Sequence, residues 1–411
     1  MKFQIASPSH YFTDLCLPWS RHLNEWPEEL FVEVARGIHR NVVKFISHKS
    51  HVYALKELAT PIAQKEYKLL RELEELGLPV VEPVGLVTQR DKNVSAAQLE
   101  DDSERMDLKD RGLLITNYMI GALPYRVIIQ QGISKEQMQQ MLDALAELLV
   151  RLHLSGFYWG DCSFSNALFK RDAGLMAAYL VDAETGDLLD ELSDYRREYD
   201  LELAHTNIAG DLMDLDAAVG LPGGLDPLDQ ADSLVDRYNA LWAELTRTDT
   251  FNPEDQYLIE ERIGRLNDLG FDIEEMEIST VDNGTRVRMV PRVVEHWHHK
   301  RKLASLTGLQ VQENQARRLL NSLYRYRLVL SEREGRDVPV PVAAYRWTSE
   351  VFNPSVQNIP SSLKGGLDDA ELFHEILEHR WYLSQEKRVD VGMPYAAHSY
   401  VENVLKKRQS L

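Results

Sequence analysis

The sequence predicts an α+β protein with a lobe of strands and one helix, a mainly helical lobe, and a C-terminal region that carries a hairpin. Residues 30–57 contain short apolar runs rich in β-branched and aromatic residues, as is typical of strands. Residues 62–76 have apolar side chains at helical spacing, and residues 137–153 repeat that pattern over a longer run. This order of elements predicts the α+β class.

The remaining elements of the first lobe follow in order. Residues 84–88 indicate a strand, and residues 90–112 are charged and poor in apolar side chains, so we expect a solvated insertion loop there. Residues 113–119 predict a further strand, and residues 120–124 link it to the helical lobe. The first three strands are expected at residues 30–35, 41–47 and 51–58.

One motif, a loop followed by a hairpin, carries the chemistry of this sequence. Asp161 and Asn166 lie in the loop 158–166, and strand-like apolar runs separate Asn166 from Asp182. In phosphoryl transfer a carboxylate orients the attacking hydroxyl, while a carboxamide and a second carboxylate hold Mg²⁺ against the phosphates. We therefore predict Asp161 as the catalytic carboxylate and Asn166 and Asp182 as metal ligands.

A second motif lies upstream, where a strand contains Lys56. Its sequence is comparable with the V-A-I-K signature, whose lysine pairs with the α- and β-phosphates of ATP. A buried lysine of this kind needs an acidic partner, and the helix over residues 62–76 offers Glu66 as the first choice and Glu72 as the second. Lys56 and Glu66 complete the predicted catalytic set.

The rest of the nucleotide site is expected in a turn and in the hinge. The turn over residues 36–40 has one glycine, so its cationic side chains are expected to contact phosphate alongside the backbone. Backbone groups of the hinge are expected to contact the adenine edge. Besides Lys56, the predicted nucleotide contacts are Gly37, His39, Arg40, Asn117, Tyr118 and Met119.

Residues 66–85, taken with these motifs, resemble the helix-to-strand passage of atypical kinases: lipopolysaccharide sugar kinases, RIO-type kinases and aminoglycoside phosphotransferases. Over nearly its whole length, including residues 373–381, the chain resembles a bacterial family of unassigned function with a lipopolysaccharide-kinase-like domain and an extra C-terminal domain. The resemblance implies a bilobal protein-kinase-like fold, ATP and Mg²⁺. Two departures are Trp159-Gly160, where protein kinases have histidine and arginine, and Ala183-Glu184, where they have phenylalanine and glycine.

Three domains are expected: a kinase-like N-lobe over residues 1–119, a C-lobe over 120–271, and an accessory domain over 272–411. The last begins with a hairpin whose turn contains Asn283-Gly284, a strong hairpin signal. Within the C-lobe, residues 185–205 are expected to form an activation or substrate segment. Asp211, on a helix after it, is a candidate to brace the catalytic loop.

Composition sets outer bounds on function. The chain has 411 residues and a net charge of −19, which disfavours nonspecific binding to nucleic acid. It has two cysteines, too few for a disulfide framework, so a reducing cytoplasm is the expected compartment. No run approaches the roughly 18 apolar residues of a membrane span, so no transmembrane segment is expected.

These observations favour an ATP- and Mg²⁺-dependent phosphotransferase that acts on a hydroxyl group. Its acceptor is unknown; the lipopolysaccharide-kinase resemblance suggests a sugar or small molecule, and the RIO resemblance permits a protein. Two alternatives stay open. One is a pseudokinase scaffold that presents the C-terminal domain to a protein partner, and the other is nucleotidyl transfer on the same fold.

Overall fold

The computed structural model divides into two units, one formed by Met1–Phe169 with Ala178–Val293 and the other by Lys170–Ala177 with Val294–Leu411. The described residues are 1–6, 17–34, 42–48, 51–90, 110–172, 175–247, 249–251, 276–281, 286–291, 298–336, 338–357, 359–364, 367–387 and 391–409. All the candidate residues that are described lie in the first unit.

A five-stranded antiparallel sheet forms the first part of the chain. Its strands are β1 (Lys2–Ile5), β2 (Val42–His48), β3 (His51–Ala59), β4 (Pro83–Thr88) and β5 (Arg111–Asn117). The order is β1-β4-β5-β3-β2, so β3 is paired along both edges. Its register sets Lys56 opposite Val43 on β2 and Leu114 on β5. Pairing on both sides fixes the face of the sheet on which Lys56 lies.

Helix α1 (Thr60–Glu75) follows β3 directly and contacts β3, β4 and β5. Ala63, Leu70 and Leu73 are buried on one face of this helix, as expected from their spacing. Glu66 shares that face and is fully buried. The helix therefore directs one carboxylate toward the sheet together with its apolar residues.

One strand prediction is wrong. Of the residues 30–35, those described form a single bridge, between Phe31 and Ile46, and Leu30 ends a short 3-10 helix that begins at Glu28. Leu30 and Phe31 instead pack their side chains against the core of the sheet. The edge beside β4 is taken by β1, which pairs Phe3 with Val87.

The predicted solvated loop over residues 90–112 is wrong at its described ends. Arg111 and Gly112 belong to β5, and Arg90 is fully buried; residues 91–109 lie outside the described part of the chain. The guanidinium of Arg90 donates to the carbonyl oxygen of Trp19 at 2.7 Å and pairs with the carboxylate of Glu57. The hydrogen bond attaches the segment around Trp19 to Arg90, and the ion pair attaches Arg90 to β3.

The helical part of the chain begins after β5. Its elements are β6 (Ala122–Pro124), α2 (Tyr125–Gln130), α3 (Lys135–Leu154), β7 (Phe157–Tyr158), β8 (Ala167–Asp172), β9 (Leu175–Leu180), β10 (Asp187–Leu188), α4 (Asp194–Val219) and α5 (Pro227–Thr246). Helix α3 confirms the helix predicted over residues 137–153; the Ser134 hydroxyl accepts from the Gln137 N–H at its start. Helix α4 begins at Asp194 and so includes most of residues 185–205; their role as an activation or substrate segment stays a prediction.

The hairpin predicted between Asn166 and Asp182 is confirmed as β8 and β9, which join β6 in a three-stranded sheet. At its base, the Val181 N–H donates to the Asn166 carbonyl at 3.1 Å. The backbone of Leu180 is hydrogen-bonded to residues 79–81. Its N–H donates to the Pro79 carbonyl, and its carbonyl accepts from the Val81 N–H, both at 2.9 Å. Asp182 therefore follows a strand end with a fixed backbone.

A second predicted hairpin is also confirmed, as β12 (Met276–Val281) and β13 (Arg286–Pro291), with β11 (Asp249–Phe251) on the far side of β13. Val281 pairs with Arg286 at the closed end of the hairpin. All three strands belong to the first unit. The start of an accessory domain at residue 272 stays a prediction.

The second unit is mainly helical and has its own apolar core. Its helices are α6 (His298–Thr307), α7 (Glu313–Glu334), α8 (Val340–Trp347), α9 (Asn353–Val356), α10 (Asp369–Lys387), α11 (Met393–Tyr400) and α12 (Lys406–Gln409). Trp347, Phe352 and Phe373 form the centre of the core, with ring centroids 5.1 to 5.6 Å apart. The predicted α+β class, with a mostly helical C-terminal part, is confirmed. Among the described helices of the chain, none is long and apolar enough to cross a bilayer.

Replacing Arg90 by alanine should lower the free energy of unfolding by about 3–5 kcal/mol, because Glu57 would stay buried without its ion partner. Chemical denaturation measures this loss. Lys44→Ala is the control, since its partner Glu28 is 82% exposed and the loss should not exceed about 1 kcal/mol. Equal losses in the two variants would contradict a stabilising role for the buried pair.

Candidate active site

Lys56 is at the centre of a cluster of carboxylates. Its Nζ lies 3.1 Å from both carboxylate oxygens of Glu66, 2.6 Å from Asp182 Oδ2 and 3.4 Å from Glu184 Oε2. The predicted Lys56–Glu66 pair is thus present in the structure. Glu72, the second choice, pairs with Lys68 at the surface instead.

Burial and charge act strongly on this cluster. Burial raises the pKa of Glu66 to about 8; Lys56 opposes that shift, while Asp182 and Glu184 add to it. Burial lowers the pKa of Lys56, but the surrounding carboxylates outweigh burial and raise it above its ordinary value. Three carboxyl groups therefore surround one cationic ammonium group. A divalent cation would relieve the excess of negative charge.

The same carboxyl groups lie close enough together to contact one cation. Oxygen atoms of Glu66, Asp182 and Glu184 lie within 4.8 Å of one another. Oxygen ligands of this kind suit Mg²⁺, which is usually held by one or two carboxylates together with substrate phosphates. Asp182 and Glu184 are 23% and 30% exposed, so solvent reaches both, whereas Glu66 is enclosed. This chemistry fits the metal expected from the sequence.

Asp161 and Asn166 meet in the catalytic loop. The Asn166 Nδ2 donates to the Asp161 carbonyl at 2.9 Å and to Asp161 Oδ2 at 3.0 Å. On the other side, Asn207 Nδ2 of α4 donates to Asp161 Oδ1 at 3.0 Å. Two carboxamides thus hold the plane of the Asp161 carboxylate, and Asn166 Oδ1 is the amide atom that remains for a cation.

Asp200 on α4 supports the backbone of the loop, and the sequence reasoning missed it. Its carboxylate accepts from the Trp159 N–H at 2.7 Å and from the Gly160 N–H at 2.8 Å. His153 Nε2 lies 3.1 Å from the same carboxylate, and all of Asp200 is buried. Gly160 has φ +75°, and a Cβ there would lie 3.0 Å from the Tyr158 ring, so the loop needs glycine at this point.

Trp159 connects the loop to the hairpin. Its indole N–H donates to the Asp182 carbonyl at 3.0 Å, and its own carbonyl accepts from the Thr185 hydroxyl at 2.9 Å. The side chain is fully buried. Trp159 stands where protein kinases have the histidine of their catalytic loop, and its uncharged indole N–H fixes the backbone of Asp182, the predicted metal ligand.

Asp211 braces the far end of the loop, as predicted. Its carboxylate accepts from the Ser165 N–H at 3.0 Å and from the Ser165 hydroxyl at 2.8 Å. Asp200, Asn207 and Asp211 follow one another on α4 at intervals of seven and four residues, which puts them within about 40° of one another around the helix. That polar stripe is the sequence signal that points to Asp200 and Asn207.

The other predicted nucleotide contacts are less favourably placed. The Asn117 and Tyr118 N–H groups donate to the carbonyls of Glu82 and Val52, both at 2.9 Å, and the Met119 carbonyl accepts from the Ala122 N–H. These three backbone groups are engaged within the protein. The predicted phosphate contacts Gly37, His39 and Arg40 lie outside the described residues.

Comparisons with known proteins agree with the motifs. Residues 34–208 match the model of the Lipopolysaccharide kinase (Kdo/WaaP) family, and residues 240–405 match the model of a domain of unknown function, DUF4032. The resemblance to lipopolysaccharide kinases with an extra C-terminal domain is thereby confirmed. The antiparallel sheet, α1 and the helical part are consistent with the kinase-like fold that the resemblance implies.

One solved structure, of WaaP in complex with acyl carrier protein, has 14% sequence identity and a TM-score of 0.37; the match covers 66% of this chain and 99% of that chain. A search of curated proteins found no match.

Asp200→Asn should lower the free energy of unfolding by about 1–3 kcal/mol, because an amide nitrogen would replace one acceptor and leave a buried N–H of the loop without a partner. Denaturant titration of the purified protein measures the loss. The control is Asp232→Asn. The Asp232 side chain is 70% exposed and pairs with His205, which lies on α4 as Asp200 does. An Asp200 variant as stable as the Asp232 variant would contradict this supporting role.

Proposed function

We propose that the protein is an ATP- and Mg²⁺-dependent phosphotransferase whose acceptor is a hydroxyl group. The observation that carries the proposal is the junction of the two sequence motifs: Lys56 Nζ contacts Glu66 of α1 and Asp182 of the hairpin at once. Phosphoryl transfer on a kinase-like fold needs a lysine paired with a helix acid and a carboxylate that holds Mg²⁺, and Asp182 is proposed as that carboxylate. The family match over residues 34–208 supports the same class.

Each group has a separate task in this proposal. Lys56 binds phosphate oxygens, and Glu66 holds its ammonium group in place from the enclosed side. Asn166 Oδ1 and Asp182 would hold Mg²⁺, and Glu184 supplies a further carboxylate beside them. Bound Mg²⁺ would neutralise phosphate charge during transfer.

Asp161 is the proposed catalytic residue. Its carboxylate orients the acceptor hydroxyl and accepts the proton that this hydroxyl loses. The amides of Asn166 and Asn207 hold the carboxylate so that no rotation is needed when the acceptor binds. Asp200 and Asp211 act indirectly, because they fix the loop backbone on either side of Asp161.

The family comparison supports a proposal for the acceptor class. The family name includes lipopolysaccharide kinases, so a sugar or another small hydroxyl compound is the proposed acceptor.

The proposed domains are the N-lobe, the C-lobe and an accessory domain from residue 272, which is available for a protein partner. A reducing cytoplasm, where ATP is present, is the proposed compartment; burial raises the pKa of the Cys162 thiol and favours its inert, neutral form.

Saturating ATP with Mg²⁺ should stabilise the protein against heat, since a ligand at a hundredfold excess over its Kd contributes about 2.7 kcal/mol. Lys56→Met and Asp182→Asn should each reduce the rise in Tm, because they remove a phosphate and a metal contact. Differential scanning fluorimetry measures the rise. Lys68→Met, an exposed lysine of α1 paired with Glu72, is the control and should keep it. No rise in the wild-type protein, and no heat on calorimetric titration, would contradict nucleotide binding.

Asp161→Asn should keep ATP affinity and lower turnover about 10²–10⁴-fold, because it removes the proton acceptor but no metal ligand. Turnover is measured as release of ADP. Asp187→Asn, whose side chain is 54% exposed and pairs with Lys65, is the matched control. Release of pyrophosphate in place of ADP would indicate nucleotidyl transfer, and nucleotide binding without any turnover in the wild-type protein would indicate a pseudokinase.

A further inference from the structure

The hairpin between Asn166 and Asp182 belongs to two units. Its base, next to both residues, lies in the first unit, whereas Lys170–Ala177 belong to the second unit, with Val294–Leu411. The chain therefore leaves the first unit just after Asn166 and returns just before Asp182. Whatever holds Lys170–Ala177 acts, through the two strands, on the backbone that carries both proposed metal ligands.

Asp172 is the main contact of this segment. It is 1% exposed, and its Oδ1 accepts from the Gln315 N–H at 2.7 Å. Gln315 is the third residue of α7, so its N–H is one of those that the helix itself leaves without a partner. A carboxylate at the positive end of a helix is stabilised both by the hydrogen bond and by the helix dipole.

The helix end that receives Asp172 is itself fixed by buried polar contacts. The Gln315 side chain accepts from the Gln312 N–H at 3.1 Å and donates to Glu371 Oε2 of α10 at 3.3 Å. Gln315 and Glu371 are 1% and 3% exposed. The N-terminus of α7 is thus attached to α10 by a buried hydrogen bond.

Arg171 adds two further contacts within the second unit. Its carbonyl accepts from Gln312 Nε2 at 3.1 Å, and its guanidinium lies 3.8 Å from the carboxylate of Glu375 on α10. The end of β8 is therefore held by a side-chain carboxylate, a backbone carbonyl and an ion pair in two consecutive residues. The pairing of β8 with β9 does not itself require these additional contacts.

We propose that Asp172 is a positioning residue through which the C-terminal unit fixes the Asn166–Asp182 hairpin for Mg²⁺-dependent nucleotide binding. The strand that completes the sheet of β8 and β9 is β6, which has three residues, so an anchored end still limits how far the base of the hairpin departs from one geometry. Ligands held by supporting contacts bind metal more tightly than the same ligands left mobile. The Mg²⁺ part of this proposal rests on the proposed function, but the anchoring of the hairpin does not.

Three variants of the full-length protein test it. Asp172→Ala removes the acceptor, and Asp172→Asn keeps a neutral oxygen that still accepts from the Gln315 N–H. Ser322→Ala is the matched control on the same helix, since it removes the acceptor of the Trp347 indole N–H at 3.2 Å in the core of the second unit. Two readouts are taken for each: hydrogen exchange of the amides between Asn166 and Asp182, and the Mg²⁺ concentration that gives half-maximal ATP binding.

Asp172→Ala should accelerate exchange in the hairpin and raise the half-saturating Mg²⁺ concentration about tenfold, the lower end of the effect of losing a supporting contact. Asp172→Asn should stay closer to wild type, and Ser322→Ala should change neither readout in the hairpin. Unchanged hairpin exchange in Asp172→Ala, or equal changes in Ser322→Ala, would overturn the proposal. If hairpin exchange rises as expected while the wild-type protein binds no ATP, the proposed function fails and the anchoring stands.

Discussion

The architecture of the site depends on one buried ionic contact, that of Lys56 with Glu66. Glu66 has no exposed surface, so a shift of α1 relative to β3 would leave a buried carboxyl group without the ammonium group that it contacts. Asp182 contacts the same ammonium from the hairpin. Three separate stretches of sequence are thereby held at one point by a single side chain, and the cation that holds them also attracts phosphate.

Helix α4 provides the second support, by hydrogen bonds instead of charge pairing. Asp200, Asn207 and Asp211 contact the start, the middle and the end of the catalytic loop along one stripe of the helix. Because a helix is stiff and its residues rise by a constant distance, these three contacts hold an irregular loop at fixed points. The loop keeps glycine at position 160 and still presents Asp161 in one orientation.

Residues 209–239 separate the two matched regions of the chain, 34–208 and 240–405, but the units of the structure divide the chain at other places. Lys170–Ala177 lie inside the kinase-family match and yet belong to the C-terminal unit. The C-terminal unit therefore includes the end of the hairpin whose base adjoins Asn166 and Asp182, the proposed metal ligands.

The sequence by itself determined the α+β class, the helices α1 and α3 and the β8–β9 hairpin, since local periodicity specifies them, and its motifs singled out Lys56, Asp161, Asn166 and Asp182 as candidates for the site. Only the tertiary structure decided that Glu66 and not Glu72 faces Lys56, that Arg90 is buried, and that β1 takes a sheet edge. Helical spacing shows which residues share a face, but packing against distant strands selects the buried face. Edge pairing and burial of a charge likewise depend on partners far away in the chain.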